Sequence, residues 1–441
     1  MSDPDLYPTI VALSSAGGRA GVAVVRISGQ RVRFVLETIT GKVPQPRLAT
    51  LRHLRDASGE VIDSGLVLFF PAPASFTGED VAEFQIHGSR AVLARLLSTL
   101  TALPGVRLAE AGEFTRRAFE AGKLDLAAVE GLADLIDSET EWQRRQALRQ
   151  MEGALGELAG RWRERLIAAM ALLAAEIDFS DEGDVSGPVV IEAMAIVAEI
   201  LVELRRALGS FAMGERVREG FVVVLAGPPN AGKSSLLNAL ARRDVAIVSP
   251  VPGTTRDAIE VRLDLNGLPV ILVDTAGLRD SVDPIEAEGV RRARALVERA
   301  DLVLSLRAID SAPDRTGMDT TAQLAALAVA TKSDLTGPVL PEELPVSVTS
   351  GAGVDALLAA IVARLGQSTS SEPALLTRER HRVAVAEAVL ALERVSTADH
   401  SQAELLAEDV RLAVRALERL VGRIDVEDVL DQLFSGFCIG K

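Results

Sequence analysis

The residues that most clearly declare a chemistry are Gly227-Pro-Pro-Asn-Ala-Gly-Lys-Ser, a G-x4-G-K-S loop. Glycines at this spacing let backbone N–H groups curl around phosphates. Lys233 then reaches the terminal phosphates, and the Ser234 hydroxyl suits Mg²⁺. The apolar run Phe221-Val-Val-Val-Leu-Ala predicts a strand that delivers the loop. Ser235-Leu-Leu-Asn-Ala-Leu predicts a helix whose positive N-terminal end faces the anion. Asn230, Ala231, Gly232, Lys233, Ser234 and Ser235 are therefore the first expected nucleotide contacts.

Further elements follow in order. Gly253-Thr-Thr-Arg-Asp supplies Thr254 and Thr255, the latter placed to complete a Mg²⁺ shell. Val270-Ile-Leu-Val-Asp-Thr-Ala-Gly puts Asp274 at a strand end near the hydrated metal. Thr275, Ala276 and Gly277 come next, with Gly277 free to sense a γ-phosphate. Thr331-Lys332-Ser-Asp334 follows the apolar run Leu324 to Ala330. A carboxylate at Asp334 accepts two hydrogen bonds from guanine that adenine cannot offer. Together these elements resemble the translation-factor-like GTPases, which implies GTP. Thr331 stands where asparagine is usual, so one hydrogen bond holding the base pocket is expected to be lost and affinity weakened. The loop Ser347-Val348-Thr349 is a looser form of the usual Ser-Ala-Lys.

Leu278 occupies the position at which Ras-like enzymes carry a water-orienting glutamine. Glu286, in the same segment, either reaches in through a bridging water or is an ordinary carboxylate at a helix start. Asn230 either ligates a monovalent cation, with backbone carbonyls of Ser249-Pro-Val251, or is a turn residue.

The composition bounds what surrounds this machinery. The 441 residues are 48% hydrophobic and 25% charged, a balance that points to a globular protein of two to four domains. The net charge of −15 excludes a general nucleic-acid coat. One cysteine, Cys438, excludes an intrachain disulfide and a cysteine cluster for metal. Four scattered histidines lack metal-ligand spacing. The longest apolar run, Leu166 to Ala175, is too short to span a bilayer, and the acidic start lacks a signal peptide's features. No membrane association and a cytoplasmic location are expected.

Texture divides the chain into four segments. Residues 1–122 mix β-rich runs such as Thr9-Ile-Val-Ala-Leu and Val81-Ala-Glu-Phe-Gln-Ile with helical patterns, predicting an α+β domain. Residues 123–215 read as long helices, broken at Ser180-Asp-Glu-Gly-Asp. Residues 216–370 alternate strand and helix, the pattern of a P-loop α/β domain. Helical texture returns over 371–441. An α/β module is thus inserted into a helical domain that the chain leaves and re-enters.

Several segments then read together. They are Gly21-Val-Ala-Val-Val-Arg-Ile-Ser-Gly, Ser75-Phe-Thr-Gly-Glu-Asp-Val-Ala-Glu, Gly112-Glu-Phe-Thr-Arg-Arg-Ala-Phe, Gly122-Lys-Leu-Asp-Leu, Ala133-Asp-Leu-Ile-Asp and Phe437-Cys-Ile-Gly-Lys. With the embedded GTPase motifs they resemble the MnmE (TrmE) family of tRNA-uridine-modification GTPases over essentially the whole length. The resemblance implies a homodimer formed through an N-terminal domain that binds 5-formyl- or 5,10-methylene-tetrahydrofolate. It implies a heterotetramer or larger complex with the flavoprotein MnmG (GidA). Together they would install an aminomethyl-type group on C5 of the wobble uridine of certain tRNAs. It also implies G-domain pairing in the presence of K⁺, with Asn230, Ser249, Val251 and Thr254 forming the K⁺ site. Ser234 and Thr255 would bind Mg²⁺, and Glu286 would orient water. Arg26, Glu83, Lys123 and Lys441 would contact folate.

Cys438 remains open between a thiol acting at that site and a small buried hydrophobe. Gly440 and Lys441 do not fit a prenylation signal. Arg411, Arg415, Arg419 and Arg423 recur every fourth residue, as a solvated face paired with Glu408 and Glu418 or as a contact for tRNA or an acidic partner. Two other functions compete: a GTPase switch in ribosome assembly or signalling without folate chemistry, and a folate-dependent methyltransferase acting without GTP. Stoichiometric folate binding separates the first from the leading reading.

Overall fold

The computed structural model describes residues 8–178, 188–243, 245–247, 260–274, 299–311, 326–366, 373–398, 402–422, 424, 427–437 and 439–440. Contacts gather these into two units. One holds Met1–Ala133, Met151–Ile167 and Val414–Lys441, and the other Asp134–Gln150 and Ala168–Ala413.

The first unit begins β1 (Thr9–Leu13), β2 (Ala20–Ser28), α1 (Val32–Thr40), β3 (Thr50–Arg55), β4 (Val61–Phe70) and β5 (Val81–Gly88). It continues α2 (Arg90–Thr101), β6 (Val106–Leu108), α3 (Glu113–Glu120) and α4 (Leu126–Ile136). The six strands form one sheet in the order β3-β4-β5-β2-β1-β6, antiparallel except for the β1–β6 pair. Alternation in β2 sends Ala23, Val25 and Ile27 into the core. There they meet Val32, Val35, Leu36 and Ile39, the single apolar stripe of α1. Arg26 belongs to the opposite face, in register with Glu83 of β5.

A buried ionic network stiffens that face. Arg117 of α3 is 7% exposed and donates to Glu79, to Glu113 and to the carbonyl of Pro8. Glu113 also takes two hydrogen bonds from Arg107, at 2.6 and 2.7 Å. Burial pushes the Glu113 carboxyl up, but hydrogen bonds from Arg107, the Glu110 amide and Arg117 hold it below the usual range. A carboxyl depressed by folding stabilises the fold above its unfolded pKa, and that contribution is lost as pH falls through the folded value. Glu113→Gln is accordingly expected to cost about 3 kcal/mol at pH 7 and to flatten the acid limb of stability. Urea unfolding of both proteins at neutral and acid pH checks this; a loss unchanged by acid would refute it.

Next come α5 (Glu141–Met151), α6 (Ala154–Asp178) and α7 (Pro188–Glu219). The predicted break at Ser180 lies outside the described residues. The second sheet contains β7 (Phe221–Ala226), β8 (Glu260–Leu265), β9 (Leu268–Asp274), β10 (Leu302–Ala308), β11 (Ala326–Thr331) and β12 (Leu344–Val346). Helices α8 (Lys233–Ala241) and α9 (Val354–Gly366) accompany it, and α10 (Glu379–Thr397), α11 (Ala403–Val421) and α12 (Glu427–Ser435) follow. The strand order is β12-β11-β10-β7-β9-β8, parallel except for β8. Val222, Val223, Val224 and Leu225 are all buried, as a central parallel strand covered on both faces requires. This is the Ras-like sheet. The chain is α+β at its N-terminus, with helices on both sides in sequence of a P-loop α/β module.

In the first unit, α12 closes back on the N-terminal elements. Phe434 and Phe437 pack with Val129, Phe119 and Leu124. Ile439 bridges to Ala111, and Ser14 Oγ donates to the Gly440 carbonyl at 2.9 Å. Gly440 has φ +105°, and a Cβ there would lie 2.1 Å from the Leu13 carbonyl oxygen, so only glycine fits.

The arginine stripe resolves into separate contacts. Arg411 pairs with Glu408, whereas Glu418 pairs with Arg163 of α6 at 2.7 Å. Arg415 and Arg419 are exposed, and Arg423 lies outside the described residues.

Candidate functional site

β7 is flanked by β9 on one side and β10 on the other, so the loop after it opens at the point where the sheet's winding reverses. Such points form the crevice in which α/β sheets bind ligands. The loop needs its glycines here. Gly227 has φ +152°, and a Cβ on it would sit 2.4 Å from the Leu306 carbonyl oxygen. Gly232, at φ +87°, turns the chain into α8, whose first residue is Lys233.

The Lys233 ammonium donates to the carbonyls of Gly227 and Pro228, at 2.7 and 3.0 Å. Ser234 Oγ donates to Asp274 Oδ2 at 2.5 Å, although the two are forty positions apart. A hydroxyl and a carboxylate side by side are hard oxygen donors, and they fit Mg²⁺. Asn230 is exposed at the crown of the loop with φ +65°. Asparagine tolerates that conformation, so the turn explains the residue whether or not it ligates a cation.

The base side of the crevice is built from the ends of β11 and β12. Asp334 Oδ1 accepts from Ser347 Oγ at 2.5 Å, and Ser347 is fully buried. That bond fixes the carboxylate that would read guanine. The Thr331 hydroxyl donates to the Ala231 carbonyl at 2.7 Å. A tie between the base strand and the phosphate loop is thus kept by a different side chain. The Lys332 ammonium lies 3.1 Å from Asp310. Val348 and Thr349 are exposed beyond Ser347, and Ser235 is exposed on the first turn of α8.

Of the remaining nucleotide, K⁺ and catalytic candidates, Ser249, Val251, Thr254, Thr255, Thr275, Ala276, Gly277, Glu286 and Cys438 lie outside the described residues, as does Lys441 of the folate set.

On the N-terminal sheet, Arg26 and Glu83 form a 3.0 Å ion pair, each about one-fifth exposed. The Arg26 guanidinium also stands over Phe76 at 5.6 Å and Phe114 at 5.8 Å. The loop from Ser75 to Asp80 organises this corner: Thr77 meets Ser28 at 2.7 Å, and a Cβ on Gly78 would sit 3.5 Å from Lys123 Cε. Arg26, Glu83 and Lys123 therefore border one loop. Phe76, Glu79, Phe114 and Arg117 belong to the same corner. No chemical spacing marks them, although all four fall inside the two motif runs starting at Ser75 and Gly112.

A sequence profile described as "MnmE helical domain" matches residues 126–438, and one described as "GTP-binding protein TrmE N-terminus" matches residues 9–123. The chain belongs to the MnmE family. A protein of Azorhizobium caulinodans named tRNA modification GTPase MnmE is 54% identical over 435 residues, covering 98% of this chain and 99% of that protein. Its namesake in Methylobacterium sp. (strain 4-46) is 54% identical over 441 residues, with 98% and 99% covered. That of Bradyrhizobium sp. (strain ORS 278) is 52% identical over 443 residues, again with 98% and 99% covered. The MnmE match runs across both sides of the P-loop module. Among the described residues no helix is long and apolar enough to cross a membrane.

Proposed function

We propose that the chain is a K⁺-activated GTPase that works with a flavoprotein of the MnmG (GidA) kind on tRNA. Together they install an aminomethyl or carboxymethylaminomethyl group at C5 of the wobble uridine, using 5-formyl- or 5,10-methylene-tetrahydrofolate. The observation that carries the reading is the Ser234–Asp274 pair beside a complete phosphate loop, in a chain of the MnmE family that also holds the Arg26–Glu83 corner.

In this reading the loop N–H groups and Lys233 hold the β- and γ-phosphates. Ser234 and Thr255 would hold Mg²⁺, with Asp274 behind them. Asn230, Ser249, Val251 and Thr254 would hold K⁺. These cations would supply positive charge where negative charge grows on the transferring phosphoryl group. Glu286 orients the attacking water, a task that Leu278 cannot perform. Asp334, held by Ser347, selects guanine over adenine.

At the N-terminal corner Glu83 suits the amino-amide edge of a pterin, and Arg26 and Lys123 suit carboxylates or neighbouring polar atoms. Phe76, which is exposed, offers flat apolar surface beside them, and Phe114 is buried behind Arg26. Lys441 and the Cys438 thiol would complete the site. The protein acts as a homodimer in the cytoplasm, within a heterotetramer or larger assembly with its flavoprotein partner.

Nucleoside mass spectrometry of tRNA from cells with and without the chain tests this. C5-substituted wobble uridines are expected to vanish without it, to return with an intact copy, and to stay absent with a Glu286→Ala copy. Modified uridines that persist in its absence would remove the tRNA reading.

A further inference from the structure

Thr331 ends β11 directly beneath the phosphate loop and is 5% exposed. Its Oγ1 lies 2.7 Å from the Ala231 carbonyl oxygen and 3.2 Å from that of Arg307. Both neighbours are acceptors, and a hydroxyl carries a single hydrogen, which the shorter contact takes. Nothing is left to donate to a ligand. The side chain also bears on Gly232, where an added Cβ would sit 3.4 Å from Oγ1 and 3.8 Å from Cγ2. Thr331 thus touches the loop at two successive residues, immediately before Lys233.

Guanine offers N7 and O6 as acceptors, besides the donors on the edge that Asp334 suits. The neighbouring cation, Lys332, is turned to Asp310. We infer that Thr331 is a positioning residue for the phosphate loop and not a reader of the base, so that N7 of guanine goes unread. An amide side chain at this position carries two N–H hydrogens, enough for the loop carbonyl and the base together. The threonine hydroxyl serves only the first. Guanine selection then rests on the Asp334 edge. The inference rests on the reading that this crevice holds a guanine nucleotide.

The test is competition binding to the full chain with GDP, 7-deaza-GDP (carbon in place of N7) and ADP. The wild type is expected to bind GDP and 7-deaza-GDP within about twofold of each other and ADP far more weakly. Thr331→Asn is expected to gain a preference of about tenfold for GDP over 7-deaza-GDP, the worth of one hydrogen bond. Thr331→Val keeps the shape and removes the hydroxyl. It is expected to weaken both guanine analogues in parallel, by about tenfold, and to speed their release, with Thr331→Ser restoring wild-type behaviour. A tenfold preference of the wild type for GDP over 7-deaza-GDP overturns the inference alone, and needs no variant to observe. A valine variant that holds both analogues as the wild type does overturns the positioning role. ADP binding equal to GDP overturns the nucleotide reading and this inference with it.

Discussion

Lys233→Ala is expected to slow single-turnover GTP hydrolysis by about 10²–10³-fold, the usual effect of deleting one preorganised charge from a phosphoryl-transfer site. The ammonium is enclosed between the start of α8 and the loop that it serves, so its charge is held where the phosphates would lie. Its two present acceptors, the carbonyls of Gly227 and Pro228, belong to exposed residues that water can reach once the lysine is gone. Little stability should be lost, which separates a catalytic defect from unfolding. Arginine would not substitute, because a rigid planar fork does not fit a niche shaped for a compact ammonium. Phosphate release at saturating protein measures the effect. A loss below tenfold would mean that Lys233 does not stabilise the developing charge.

Glu343→Ala should produce the largest loss of stability, about 4 kcal/mol, a sizeable share of what holds a domain together. Arg307 of β10 makes a two-pronged pair with Glu343, at 2.7 and 2.6 Å, and the side chains are only 11% and 6% exposed. Removing the carboxylate strands a buried guanidinium. The Arg307 guanidinium holds the Glu343 carboxyl below its usual range, against the opposing effect of burial. Its contribution therefore persists above the ordinary glutamate pKa and fades only as pH falls through the lowered value. The effect should extend to the crevice, because the carbonyl of Leu306 faces Gly227 and that of Arg307 lies beside the Thr331 hydroxyl. Urea unfolding with and without GDP reads both consequences. A variant within 1 kcal/mol of the wild type would show the pair to be worth no more than an exposed one.

What the amino acids disclose in advance depends on how local the determining contacts are. β7 was legible because a buried central strand must be apolar throughout, β1 because it too is buried on both faces, and β5 because alternation on a partly covered sheet leaves its mark. The phosphate loop was legible because its glycines are demanded by backbone conformations within eight residues. Asp274 could be assigned from its place at a strand end. The tie made by Thr331 was not legible, since its acceptor lies one hundred positions away and only folding brings them together. For the same reason the departure from asparagine shows in the sequence only what threonine lacks, and not the loop carbonyl that its hydroxyl holds. Glu343 looks like an ordinary surface carboxylate in a Pro-Glu-Glu run until β10 is laid beside it. Glu418 shows the converse: helical spacing offered it Arg415, three residues before it, and the fold also brings it Arg163 from 255 positions away.

The docking of residues 427–437 and 439–440 against β1, α3 and α4 has a consequence for biosynthesis. A ribosome releases the N-terminal sheet early, yet the surfaces of Phe119, Leu124 and Val129 stay uncovered until Phe434 and Phe437 emerge. Ser14 likewise waits for the carbonyl of Gly440. Everything between, the P-loop module included, must be made before that corner closes. A chain interrupted anywhere after the nucleotide site would carry an intact phosphate loop and, in its N-terminal unit, the apolar surface that Phe434 and Phe437 otherwise cover. Truncated molecules are thus expected to expose apolar side chains that the finished chain covers, and to bind hydrophobic probes that the full chain does not.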